Sequence, residues 1–368
     1  MRNAITEMFG IEVPMFAFSH CRDVVVEASR AGGMGILGAA WMTPDELEVS
    51  LKWIDDRVEG KPYGVDVVFP GTFAPLDDER DPDQILPAEY REFVTSLLNN
   101  ANIPPLPADD AQAFLREHAQ KMKMTPRDSE RSLEIALRFP VKFVVGAMGV
   151  PPKHVIELVH SRGIKLGALV GSVDHAIKQQ AAGTDVIIAQ GSEAGGHVGK
   201  VSSMVLWPQV VDAVAPIPVL AAGGIGRGRQ FAAAMALGAA GIWCGSIWLG
   251  TSEGELTPAM KDQLFKAKSE DAVVSRALTG KPCRILKSEY TAAWDEGALA
   301  TLTFPLQSIL AGEPLKRAER ARRLEYWTYA VGQIVGDMKS ETTVRNVFSD
   351  VLNEYVETME NLQILLEG

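Results

Sequence analysis

The chain is predicted to fold as an α/β protein, a (β/α)8 TIM barrel, and three observations predict it. Eight short apolar runs recur along the 368 residues, each linked to the next by a helical pattern. The runs are apolar throughout and do not alternate with polar residues, as expected of parallel strands covered on their outside by helices. Glycine-rich stretches follow several runs directly, at the strand ends where such a barrel carries its chemistry.

The first run, 13–17, leads through Phe18, Ser19, His20 and Cys21 into a helix over 22–31. Gly32 and Gly33 stop that helix, and 34–37 is the second run. Thr43-Pro44-Asp45-Glu46 supplies a cap, a first-turn proline and two acids, which open a helix ending near 56. The third run is 64–69. An insertion over 71–125 then breaks the spacing, with an acidic stretch at 77–83, a proline-rich one at 103–107, and helical patterns near 88–99 and 109–121. A segment this long either covers a site as a lid or decorates the surface.

Alternation resumes with helix 126–138, strand 141–146, helix 151–160, strand 166–170 and helix 173–182. Strand 186–189, a helix near 207–213, strand 219–222, helix 230–237 and strand 241–244 complete eight strands. Residues 251–330, with helical patterns at 258–268, 298–311 and 315–324, predict a helical subdomain on the substrate side. It is inserted before a closing helix over 341–366, so the barrel is expected in 1–250 plus 330–368. A Gly-x-Gly-x-x-Gly match at Gly33, Gly35 and Gly38 follows a helix and contains a strand. A dinucleotide fingerprint follows a strand and opens a helix, so the match is read as a helix stop plus strand start.

A net charge of -11 without a basic stripe argues against a nucleic-acid surface or an anionic membrane. The opening residues lack a signal peptide's apolar core, and no run reaches spanning length, so a cytoplasmic location is expected. Three scattered cysteines, Cys21, Cys244 and Cys283, indicate neither a disulfide framework nor a metal site. Composition leaves the oligomeric state open, a homodimer included.

The chemistry is expected after strands six, seven and eight. Asp185 to Gly199 turns a strand into a loop holding Gln190, Glu193, Gly195, Gly196 and His197, the imidazole having an ordinary pKa near neutrality. After strand seven come Ala222, Gly223 and Gly224, and after strand eight Cys244, Gly245 and Ser246. Glycines there leave amides free to face a phosphate, and the helix that follows would add its positive end. Met15, Phe16, Phe18, Met34 and Trp243 suggest a flat, apolar ligand beside the phosphate, a description that FMN fits. Gln190 and Gln333 are candidates for amide hydrogen bonds to it.

The stretch from Gln190 to Gly199, with Ala221-Ala222-Gly223-Gly224-Ile225 and Gly245-Ser246, resembles the nitronate monooxygenases, formerly called 2-nitropropane dioxygenases. Further matches are 31–37, 61–65 and 332–336, and the likeness spans 1–70 and 140–340. The resemblance implies an FMN-dependent barrel that oxidises alkyl nitronates with O2 to a carbonyl compound and nitrite, with His197 as the catalytic base. Gly223, Gly224, Gly245 and Ser246 would hold the phosphate, and Gln190, Gly195 and Gly196 would lie beside the flavin. Ala17, Phe18, Asp66, Ala222, Cys244 and Gln333 complete the expected cofactor set, and His20 and Met34 are weaker substrate candidates. Relatives commonly carry Gly-Met after the first strand and asparagine where Asp66 stands. Those departures and the insertion keep two alternatives open: an FMN barrel acting on enoyl, steroid-derived or quinone-like substrates, and a non-redox barrel that binds a phosphorylated metabolite.

Overall fold

In the computed structural model, which describes residues 1–69, 85–122, 125–297 and 299–367, eight parallel strands close into a barrel. They are β1 (Met15–Ser19), β2 (Met34–Gly38), β3 (Tyr63–Val68), β4 (Phe143–Ala147), β5 (Lys165–Val170), β6 (Val186–Gln190), β8 (Val219–Ala222) and β9 (Gly241–Cys244). Between β6 and β8 lies a two-residue strand, β7 (Gly196–His197). It joins β10 (Ala272–Ser275) and β11 (Cys283–Leu286) in a separate three-stranded sheet.

Each predicted barrel run becomes a strand, and the ends shift for identifiable reasons. The first run was expected from 13, yet β1 begins at Met15, because Pro14 has no N–H to give to a ladder. Gly35 of the glycine match sits against the helix Arg22–Arg30, where a Cβ would come 2.1 Å from the Val25 carbonyl oxygen. Its hydrogen atom permits close packing of strand on helix, with no role in phosphate binding. The barrel floor carries an element missing from the sequence reading, the helix Ala4–Phe9. Asn3 caps it together with Thr6, Gly10 ends it in the left-handed region, and Phe9 packs on Phe16 and Phe143 at 5.6 and 4.8 Å.

The segment 251–330 is not purely helical, since β10 and β11 form a hairpin within it. Its last helix runs unbroken as Leu306–Arg320 with Pro314 inside, where two helices were expected; the expected start at Ala298 lies outside the described residues. Helices Ala88–Asn100 and Ala108–Lys121 of the first insertion share one core with this segment, through Val94, Leu98, Tyr290, Trp294, Ile309 and Leu310. Arg317, 4% exposed, donates to the carbonyl oxygens of Ile103 and Pro104 at 2.7 and 3.1 Å and fastens the two together. The acidic stretch 77–83 lies outside the described residues. No helix among the described residues is long and apolar enough to cross a membrane.

The closing helix Val344–Glu367 is anchored by one carboxylate. Glu354 accepts hydrogen bonds from Arg227, Arg229 and the Gly228 amide, at 2.6, 2.8 and 2.7 Å. Burial alone would raise its pKa, but these donors outweigh burial and hold it at about 2 against an ordinary 4.5. A carboxyl depressed on folding stabilises the fold above its unfolded pKa, and that contribution is lost as pH falls. Thermal unfolding followed across acid pH is therefore expected to lose stability between about 4.5 and about 2, and Glu354→Gln is expected to lack that share of the loss.

Candidate active site

Strand residues alternate between lumen and helix layer, and the packing shows which face is which. Phe16, Ile36, Phe143, Ile188, Leu220 and Trp243 pack together inside the barrel. Ala17, Ala189 and Cys244 pack with the helices, as do Tyr63, Val65 and Val67. Phe18, Asp66 and Gln190 therefore point into the lumen at its carboxyl end. Ala17 and Cys244, expected at the flavin, turn their side chains to the helix layer and leave only backbone toward the mouth. Burial pushes the Cys244 thiol up to about 12. Met34 opens β2 at the amino end of the barrel, fully buried, and so lies far down the strand from the mouth where it was expected to meet substrate.

The imidazole is positioned by elements from three parts of the chain. Strand β7 pairs antiparallel with β11, His197 opposite Cys283 and Gly196 opposite Arg284. The side-chain amide of Gln190 donates to the His197 carbonyl oxygen at 2.9 Å. His197 Nε2 lies 2.9 Å from Thr279 Oγ1, and Phe304 meets the ring edge-on with centroids 6.4 Å apart. Burial first, and then the positive charge of Lys281, lower the His197 pKa to about 4, so the ring is neutral at physiological pH. Thr279, Lys281 and Phe304 were not singled out from the sequence. Thr279-Gly280-Lys281-Pro282, a turn signal between two β-prone runs, would have revealed the hairpin that carries two of them.

Opposite, His20 Nδ1 lies 2.9 Å from the Gly38 carbonyl oxygen, and its ring meets Phe18 edge-on at 5.3 Å. A carbonyl only accepts, so Nδ1 carries a proton in this contact. Phe18 in turn stacks on Trp243 at 5.8 Å.

The glycine cradle closes the third side. Gly223 and Gly224 lie at φ 95° and 70°, and a Cβ at Gly223 would fall 2.9 Å from the Gly191 carbonyl oxygen. The segment around Gln333 threads between the strand-end loops. The Gln333 amide donates to the Glu193 carbonyl oxygen at 2.9 Å, and the Gly332 amide donates to Ser246 Oγ at 2.8 Å. Gly195 sits so close that a Cβ would lie 2.8 Å from the Gly332 nitrogen. Among the described residues the amides of Gly224 and Ile225 find no acceptor in the protein. The helix after β8, Gly228–Ala236, does not turn the free N-terminus expected of it to the mouth, because Gln230 Oε1 accepts from the Gly226 and Arg227 amides at 2.7 and 2.9 Å and Glu354 takes the Gly228 amide. The cradle is left with loop amides, and these, with Gly245 and the aromatic pair Phe18 and Trp243 beside them, fit a phosphate attached to a flat ring.

A closed (β/α)8 barrel with an imidazole, a glycine cradle and aromatic side chains around its carboxyl mouth fits a flavin-dependent oxidoreductase, the class that its family and structural neighbours indicate. The chain belongs to the nitronate monooxygenase family, whose model matches residues 2–354. It is 43% identical to a putative monooxygenase, Rv1533, of Mycobacterium tuberculosis, over the full length of both chains. Among solved structures it resembles a nitroalkane oxidase from Streptomyces ansochromogenes, at TM-score 0.79 and 26% identity over 98% of this chain and 100% of that one. It also resembles FabK from Thermotoga maritima, at TM-score 0.73 and 25% identity over 99% of each chain.

The two influences on His197 are separable. Lys281→Met removes the cation and leaves the burial, so the His197 pKa is expected to rise from about 4 part of the way toward 6.5. An NMR titration of the ring in each protein checks this, and an unmoved value would show that the charge does not act there.

Proposed function

We propose that the protein is an FMN-dependent nitronate monooxygenase, oxidising alkyl nitronates with O2 to a carbonyl compound and nitrite. The observation that carries this reading is His197, a neutral imidazole in the electropositive field of Lys281, at the mouth beside the glycine cradle. FMN, when bound, supplies the acceptor for the nitronate's electron and the means of passing electrons to oxygen. The amides of Gly223, Gly224 and Gly245 and the Ser246 hydroxyl would hold its phosphate. Phe18, Gln190, Gly195, Gly196, Ala222 and Gln333 would border the ring and its side chain, with Ala17 and Cys244 contributing backbone alone.

The electrostatics favour the nitronate over its conjugate nitroalkane. An imidazole whose pKa is lowered to about 4 is a weak base toward carbon acids, and it is uncharged whenever substrate arrives. A ligand that is already an anion is attracted by Lys281, and its charge raises the basicity of His197 as it binds. His197 then stabilises the anion by hydrogen bonding, and where the neutral nitroalkane enters instead it is the group that accepts the acidic carbon proton, while Gln190 keeps the His197 backbone in place. The core shared by the two insertions stands on the β7 side of the barrel, and we read it as the cover that excludes water.

Purified protein loaded with FMN and given propyl nitronate is expected to consume oxygen and release nitrite. His197→Asn is expected to retain the flavin and lose turnover by about 10² to 10⁴-fold, the usual loss for a removed general base. Equal rates in the two proteins at every pH would refute the role. The changed first loop, where Phe18 and His20 stand, favours one second reading, a reductase of enoyl- or quinone-like substrates. Rapid flavin reduction by NADH or NADPH without nitrite formation would select it.

A further inference from the structure

One carboxyl at the mouth takes no part in the chemistry of His197. Asp66 stands on β3 opposite Gly38 of β2 and Val145 of β4. Val65 and Val67 face the helix layer, so the Asp66 side chain faces the lumen, near the carboxyl end of its strand. It is 6% exposed, and among the described residues its carboxyl has no hydrogen-bond or ion-pair partner. Nor is it sealed into the core, as the unpartnered hydroxyl of Tyr63 is. An unpaired carboxylate in such a place is costly unless it is protonated or met by a ligand.

The groups around it do not meet its charge. The β2 side presents Gly38 with the His20 ring lying over it, and the β4 side presents Val145. Across the lumen stands Gln190, whose amide nitrogen is occupied by the His197 carbonyl, and beyond it His197 and Lys281. Burial is the one influence on its titration, and it raises the pKa to about 7.

We propose that Asp66 is the second proton-holding group of the site, hydrogen-bonding as a neutral acid to the heterocycle bound over the mouth and tuning its reduction potential. The proposal rests on the flavin reading above. A protonated carboxyl donates to a ring nitrogen or oxygen, whereas a carboxylate in the same place repels the negative charge that a reduced ring gains. Above neutrality, electrons delivered to the ring therefore bring one proton from solvent onto Asp66. Asparagine there would keep a donor but lose the proton exchange.

The experiment is equilibrium reduction of the FMN-loaded protein with dithionite, wild type against Asp66→Asn, across neutral pH. In the wild type the oxidised flavin's absorbance is expected to inflect near pH 7. Above that pH its potential is expected to fall with a steeper slope, corresponding to one further proton taken up per reduction. Asp66→Asn is expected to lose both the inflection and the extra slope. Superimposable profiles in the two proteins would overturn the proposal while leaving the flavin reading intact. Should the variant fail to fold, a wild-type profile without an inflection overturns it equally. Wild-type protein that takes up no FMN would overturn both.

Discussion

The pairing of β7 with β11 is the interaction on which the site depends. A histidine in a loop of four glycines has many conformations, and one neutral hydrogen bond, worth about 1 kcal/mol, is too little to select among them. Backbone pairing opposite Cys283 and Arg284, with the Gln190 bond to the same residue, removes that freedom. The same pairing brings Thr279 and Lys281 to the imidazole, because both lie in the turn that leads into β11. Residues some eighty positions further along the chain thus set the ring's orientation and its protonation state.

Close backbone approach is the second constraint. At Gly35, Gly195 and Gly223 the neighbouring chain occupies the space a side chain would need, so strand, helix and loop pack closer than any Cβ allows. At the cradle this closeness has a chemical result: the amides of Gly224 and Ile225 are left unspent at the rim of an apolar lumen. The helix behind them is unavailable, since Glu354 and Gln230 neutralise its N-terminus for the sake of docking the closing helix. A helix end can serve a ligand or a neighbouring element, and here the carboxylate of Glu354 has taken it.

Much of this architecture was legible in the residues. Eight apolar runs without polar alternation can be buried on both faces only by helices outside and one another inside, and that pattern is local to each run. The position of His197 after the sixth run was equally plain, as was the glycine cluster after the seventh. Less legible were features that depend on a partner distant in sequence. The hairpin of β10 and β11 lies in a segment whose pattern predicts helix, because its short strands are stabilised by β7 and by little of their own. Met34 looked like a candidate for the mouth, yet strand direction puts it at the floor; Ala17 and Cys244 looked like ligand contacts, yet the pleat turns them outward.

Sequence alone therefore determined the barrel, the order of its units and the strand ends that meet at one mouth, because hydrophobic period and glycine placement act within a dozen residues. Tertiary structure decided the state of the groups at that mouth. His197 is neutral because burial and Lys281 make it so, and Asp66 holds its proton near neutrality because the lumen offers it no partner. Desolvation and field depend on what surrounds a residue in space, which its neighbours along the chain do not specify.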